Sequence, residues 1–302
     1  MSTDAHQLSP TPSLVPSGAP EASRRDELLR RILEPPPAQP PLNRTWNAIV
    51  TIAAREIMRY LRDGAFLLFS VIMPILLILG LEGPLQSNFG AVAGYSLMAF
   101  AVTGMLAMTL YQYTLQGILS LLEDRENDFT QELLIAPVSR YALIFGKILG
   151  ASVVALVQGL LILLLGIFFF HFPVSVWGLL LLLPVALLIC FSGGALGVLL
   201  LSLFNSQRSA NQAIPLLLFP QFFLAGIFIP MRDLPWYLDL LSKITPLRYA
   251  VDLLRNVVYS GQPEYGKVVL EGPVINLAVV CALTLLCLVV GTILFVRSKR
   301  ER

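Results

Sequence analysis

Charge is scarce in this chain: Asp, Glu, Lys and Arg make up 13% of its 302 residues, while 56% are hydrophobic. A soluble domain carries about 25% charged residues, so the composition points to an integral membrane protein. Histidine is scarcer still, with only His6 in a polar tail and His171 at the end of an apolar run; a histidine-based metal or catalytic site is not expected. The 3 cysteines, Cys190, Cys281 and Cys287, all fall inside apolar stretches at no disulfide or metal-ligand spacing. A net charge of +2 indicates no nucleic-acid partner. No GxxxxGK[ST] phosphate loop occurs: "FGKILG" lacks the upstream glycine and the hydroxyl. Serines inside apolar runs, such as Ser152 and Ser192, have no histidine or lysine beside them to act as a base. No ionisable residue stands in the middle of a long apolar run, although ion-coupled carriers place such groups there at about 2.5–3.5 kcal/mol each. The chain is thus expected to bind no cofactor directly, and the energy for any transport should come from elsewhere.

What is present in quantity is membrane-length apolar sequence. The opening residues 1–41 hold 9 prolines with several Ser, Thr and Ala, a composition without a packed core that is expected to form a disordered cytosolic tail. No signal-peptide pattern precedes the first apolar run, which begins near residue 65. A helix crosses the hydrocarbon core in about 20 residues and satisfies its own backbone there. On that measure residues 42–302 form one all-α membrane domain with six spans at about 64–82, 92–113, 141–170, 176–204, 211–230 and 273–296. The 60 uncharged residues from Ile148 to Gln207 supply two of these. Their turn is expected at "HFPVSVW", where Pro173 breaks the helix and Trp177 suits an interface.

Lys and Arg set the orientation. Basic residues crowd the stretch before the first span and the tail "RSKRER", whereas the 82–91 loop and the 171–177 turn have none. Both termini are therefore expected in the cytosol. Residues 42–63, "LNRTWNAIVTIAAREIMRYLRD", read as an amphipathic interface helix along the inner leaflet, or else as a cytosolic extension of the first span: apolar residues recur at helical spacing, with Arg55, Arg59 and Arg62 on another face. Residues 231–261 read as an outer-leaflet helical hairpin. Thr245 caps its second helix and Pro246 takes the first position; Arg248, Asp252 and Arg255 point away from the apolar stripe. Gly193 and Gly197 form a small-xxx-small pair for close helix packing, within the chain or at a dimer seam.

The polar exception lies between the second and third spans. Residues 114–140 form a cytosolic loop with five acids from Glu123 to Glu132. Leu115, Ile118, Leu119 and Leu122 would extend the second span beyond the bilayer. A short helix at about 129–136 would stop at Pro137, and Ser139 would cap the third span. Such a loop either docks a soluble partner or is a solvated acidic loop that keeps the hairpin cytosolic.

The stretch "DRENDFTQELLIAPVSRYALIFGKILGA" resembles the signature loop of type-2 ABC transporter permeases, an acidic run followed by L-L-x-x-P-x-S-R and then G-K. Leu133, Leu134, Pro137, Ser139, Arg140, Gly146 and Lys147 stand at matching positions; the family often has glycine where Asp128 stands. "FFLAGIFIPMRDLPWYLDLLSKITPLRYAVDLLRNV" is similar to the family's F-L-x-G-x-F-x-P…L-P…P-L-x-Y-x-x-D-x-L-R segment, and the likeness covers about residues 42–297. It implies the permease half of an ATP-driven exporter in a prokaryotic cytoplasmic membrane. Such a subunit dimerises, as a homodimer or heterodimer, and binds separate ABC ATPase subunits that carry the ATP and Mg. It moves drugs, lipids or lipid-linked glycans along the dimer interface.

On that resemblance the ATPase-coupling residues are Glu123, Asp124, Arg125, Glu126, Asp128, Glu132, Leu133, Leu134, Pro137 and Arg140. Arg55 and Arg59 of the interface helix either pair with Glu123 or Glu126 or bind anionic lipid headgroups. The substrate path is assigned to Tyr95, Met98, Met105 and Met108 of the second span and Gln212, Gln221, Phe222 and Phe223 of the fifth, an adaptable surface of Met and aromatics. Ordinary core packing explains the same residues. The competing functions are a membrane scaffold that recruits a cytosolic partner without transport, and an ion-coupled carrier, against which the missing buried charges argue.

Overall fold

The computed structural model describes residues 41–126 and 140–297, except His171, Pro173, Asn205, Pro230 and Asp233. The chain divides into two units, Met1–Arg44 and Thr45–Arg302, and the second holds the structure of interest. The described residues are mostly helical, with no strand among them. In chain order the helices are α1 (Pro41–Arg62), α2 (Gly64–Leu77), a π-helical turn (Ile78–Glu82), α3 (Gly83–Ala93), α4 (Leu97–Glu126) and α5 (Arg140–Phe170). Then follow α6 (Val176–Leu203), α7 (Gln207–Leu224), α8 (Trp236–Ile244), α9 (Pro246–Val258), α10 (Tyr265–Val268) and α11 (Pro273–Arg297).

Among the described residues, four helical stretches are long and apolar enough to cross a membrane by length and composition: Leu67–Gly90, Ala142–Phe170, Trp177–Leu203 and Pro273–Leu294. Their exposed large side chains are mostly Leu, Ile, Val and Phe, as lipid contact requires. The 30-residue α4 is instead the central post, packed against α5, α6 and α9. Every residue from Ala99 to Tyr111 is buried, so α4 carries Thr103, Thr109 and Thr114 in protein rather than in lipid. Gly193 on α6 lies so close to α4 that a Cβ would fall on the Tyr111 carbonyl oxygen. The glycine pair therefore serves packing within the chain.

Three local expectations are corrected. The predicted loop at 82–91 is helical and runs on from α2 through the π turn into α3; the Gly-Pro at its start suits a first helical turn as well as a loop. The predicted span at 211–230 ends at Leu224, where Gly226 turns the chain at φ 71. Thr245 precedes α9, with Pro246 at its start, but its hydroxyl does not cap that helix. It donates instead to the Leu241 carbonyl of α8, at 3.0 Å.

Candidate functional site

At the end of α4 that leads into the 114–140 loop, α1 crosses the base of the α4–α5 hairpin. Its residues sort onto three faces at 100° per residue. Trp46, Val50, Ala54 and Leu61 are exposed on one, and Arg55, Arg59 and Arg62 are exposed on a second. The third turns inward with Ile49, Ile52, Ala53 and Glu56. It reaches α5 because Gly150 has no side chain: a Cβ there would meet Glu56 at 2.8 Å and Ala53 at 2.9 Å. In that contact Glu56 Oε2 lies 2.7 Å from Lys147 Nζ, both side chains 2% exposed. Lys147 also donates to Ser120 Oγ at 2.8 Å, and that oxygen lies 3.4 Å from Glu56 Oε1. The three side chains join α1, α4 and α5.

Sequence reasoning took Lys147 only as part of a motif and missed Glu56. The available signal was its isolation: it is the single acid in α1, and it sits at i+3 and i−4 from Ala53 and Tyr60 on an otherwise apolar face.

Beside this junction a cleft of about 320 Å³ opens between α2 and α4. Phe69, Ser70, Met73 and Pro74 form the α2 wall; Met105, Met108, Thr109, Gln112 and Gln116 form the α4 wall, with Phe222 from α7. A second pocket of about 390 Å³ shares Gln116 with it and is more polar, with Arg59, Tyr60, Asp63, Ser120, Gln207 and Asn211 beside Leu119, Leu122 and Ile214. The groove thus changes along its length from thioether and aromatic to amide and charge.

The predicted path residues separate on this geometry. Met105, Met108 and Phe222 line the cleft together. Tyr95 packs on Phe100 with ring centroids 5.7 Å apart, and Met98 lies by the start of α3, near Gly83. Gln212 and Phe223 are exposed on α7, Phe223 against Phe219, and Gln221 is half-buried. Of the coupling residues, Glu123, Asp124, Arg125 and Glu126 end α4 and Arg140 begins α5. Asp128, Glu132, Leu133, Leu134 and Pro137 lie outside the described residues, as does Ser139.

The largest departure from the sequence reading is α9. The sequence places Arg248, Asp252 and Arg255 off the apolar stripe of a helix on the outer leaflet, yet in the fold they are 5%, 1% and 1% exposed. Each charge is met by polar groups, as burial demands. Asp252 accepts from the Leu270 and Glu271 amides at 2.9 and 2.7 Å and from Asn276 Nδ2 at 2.7 Å, fixing the start of α11. Asn256 accepts from the Tyr265 hydroxyl. Burial, aided by the Asp252 charge, holds that phenol above its ordinary pKa. Arg255 donates to Thr103 Oγ1 at 3.1 Å and to the Gly226 and Ile227 carbonyls at 2.8 and 3.2 Å. Arg248 donates to Ser242 Oγ at 3.0 Å. The D-x-L-R spacing therefore sends its acid to the last helix and its guanidinium to the turn after α7.

Residues 47–259 match the profile of the ABC-2 type transporter family. The chain is 28% identical over 213 residues to the "Inner membrane transport permease YadH" of Escherichia coli (strain K12), covering 70% of this chain and 82% of that protein. It is also 28% identical over 160 residues to the "Probable multidrug ABC transporter permease YbhR" of the same organism, covering 52% of this chain and 43% of that one. With its apolar helices and these relatives, the chain is an integral protein of the cytoplasmic membrane and belongs to the ABC-2 type transporter permease family.

Proposed function

We propose that this chain is the permease half of an ATP-driven exporter for hydrophobic or amphiphilic molecules. In this reading six helical crossings put both termini in the cytosol: α2 with its continuation into α3, α4, α5, α6, α7 and α11. Two such chains, identical or not, assemble with two copies of a separate ABC ATPase. The loop between α4 and α5 docks on the ATPase through Glu123, Asp124, Arg125, Glu126, Asp128, Glu132, Leu133, Leu134, Pro137 and Arg140. Arg55 and Arg59 pair with Glu123 or Glu126 and hold α1 beside that loop. Closure of the ATPases on ATP tilts α4 and α5, and the substrate moves along the Met105–Met108–Phe222 cleft.

One observation carries the reading. The cleft combines sulfur and aromatic surface with the amides of Gln112 and Gln116, a lining suited to molecules with an apolar body and a polar end. It lies on the same helix, α4, whose far end leads into the acidic loop.

The test is a cysteine at Leu134 in the chain co-expressed with candidate ABC ATPases of the same organism. The expected result is a cross-link to the ATPase that changes between nucleotide-free and ATP-bound states. Labelling of that cysteine from outside intact cells, or an ATPase that never co-purifies, overturns the reading. For the pairing, reversal of Glu123 and Glu126 should disrupt coupling, and reversal of Arg55 and Arg59 should rescue it; no rescue rejects the pairing.

A further inference from the structure

The Glu56–Lys147–Ser120 cluster sits where a force on the α4–α5 loop would enter the bundle. Ser120 is within two turns of the last residue of α4, and Lys147 about two turns into α5. Glu56 belongs to neither helix; it comes from α1, and the two charges are 2.7 Å apart and almost fully buried. We infer that this cluster is a clamp that makes α1 move as one body with the base of the α4–α5 hairpin. The motion passes to α2, the movable wall of the Met105–Met108 cleft. The inference rests on the reading that an ATPase acts on the α4–α5 loop.

Three features support transmission along this route. First, the contact is registered as well as tight. Apolar faces can slide past one another, whereas a buried opposite-charge pair strands both charges when displaced and so fixes one register. Second, α1 and α2 are joined without slack: only Asp63 separates them, its amide donating to the Tyr60 carbonyl at 3.2 Å and its carbonyl accepting from Leu67 at 3.1 Å. A displacement of α1 is therefore delivered to the first turn of α2.

Third, α2 is lightly held. Among its described side chains only Ser70 and Pro74 are buried, while Leu68, Phe69, Met73 and Leu76 are more than half exposed. Pro74 and the π turn at Ile78–Glu82 supply the two places where a helix bends readily. The lower half of α2 can thus swing while the segment beyond the π turn stays in place. Phe69 and Met73 lie on that lower half and face the cleft.

The test uses the assembled permease–ATPase complex in lipid nanodiscs, with Cys190, Cys281 and Cys287 replaced by serine or alanine. Spin labels are placed on cysteines at Phe69 and Gln112, on opposite walls of the cleft. ATPase binding to the permease is scored first; its absence in the parent rejects the coupling reading and the clamp with it. In the parent complex the label distance should shift by several ångströms between the nucleotide-free and vanadate-trapped states. Glu56→Gln and Lys147→Met should keep the ATPase bound and hydrolysing while reducing that shift at least threefold. The charge swap Glu56→Lys with Lys147→Glu should restore most of it. Ser120→Ala, which leaves both charges in place, serves if the single charge variants do not fold, and should reduce the shift by a smaller factor. The clamp is overturned if the parent distance does not respond to nucleotide. It is overturned equally if correctly assembled single variants keep the full shift, or if the swap restores nothing.

Discussion

The guanidinium of Arg255 lies 3.5 Å above the ring of Phe100, so that α9 is fastened to α4 by a cation over an aromatic face. The same group donates to the Phe100, Gly226 and Ile227 carbonyls. Gly226 and Ile227 belong to the turn that ends α7 and have no helical partners for those oxygens. The buried arginine thus replaces the missing helix and holds the turn against the central post.

Lysine cannot replace this arrangement. Its single ammonium lacks the planar fork that reaches several carbonyls while stacking on a ring. Arg255→Lys should leave buried acceptors unpaired and cost about 1–3 kcal/mol. The expected readout is a lower melting temperature for the purified protein and faster amide exchange at residues 225–229. Unchanged exchange there would show that the turn is held by something else.

Asp252 has the complementary role at the start of α11. Its two oxygens accept three hydrogen bonds, from Leu270, Glu271 and Asn276. Asp252→Asn keeps one acceptor and turns the other position into a donor facing donors. A loss of about 1–3 kcal/mol is expected, with exchange protection lost first at the Leu270 and Glu271 amides. If protection is lost evenly along α11 instead, the local capping role is wrong.

These two residues mark where the sequence misled. The periodicity of 246–258 was read correctly as one helix with an apolar stripe, but the pattern is the same whether the polar face meets water or a buried network. Only the tertiary partners Thr103, Gly226, Leu270 and Asn276 distinguish the cases, and they are far away in sequence. By contrast α5, α6 and α11 were legible because an uncharged run of membrane length has few alternatives. The extension of α4 to Glu126 followed from Leu115, Ile118 and Leu122, all of which are buried. The α3 helix was missed because a stretch with Gly, Pro, Ser and Asn has the composition of a loop. Glu56 was missed because one acid in a basic helix looks like surface charge until Gly150 brings α5 against it.

Helix α6 is seated on α4 through the absence of a side chain at Gly193. Gly193→Ala should force the two helices apart at the Tyr111 carbonyl and lower stability by about 1–3 kcal/mol, as overpacking does. A larger residue should prevent accumulation of the folded protein. Normal stability of Gly193→Ala would mean that α6 can shift along α4 freely, against the close contact seen at this position.

Asp239 and Lys243 show what the same ionic distance is worth in solvent. They are 2.7 Å apart on α8, but 38% and 53% exposed. The hydrogen bond from Lys243 holds the Asp239 carboxyl below its ordinary pKa. Its contribution is therefore present at pH values above the usual carboxylate range and is lost as the pH falls through the depressed value. Because water and salt screen the pair, Asp239→Asn should hardly change the melting temperature at neutral pH in moderate salt. A large loss would mean that Asp239 acts through Arg248, whose Nη1 is 3.6 Å away.

The buried pair should behave in the opposite way, and a double-mutant cycle measures it. Removing one member, by Glu56→Leu or Lys147→Met, leaves the other charge without its partner in a site of 2% exposure, which costs about 3–5 kcal/mol. Removing both replaces two charges by apolar side chains of similar length beside Ile52 and Gly150. That double variant should recover most of the loss and can approach the parent in thermal stability, because the desolvation cost of both ions disappears. The coupling term should reach several kcal/mol, against a small fraction of that for an exposed pair. If the two single losses simply add, Glu56 and Lys147 do not depend on each other, and α1 is held at this junction by its apolar contacts alone.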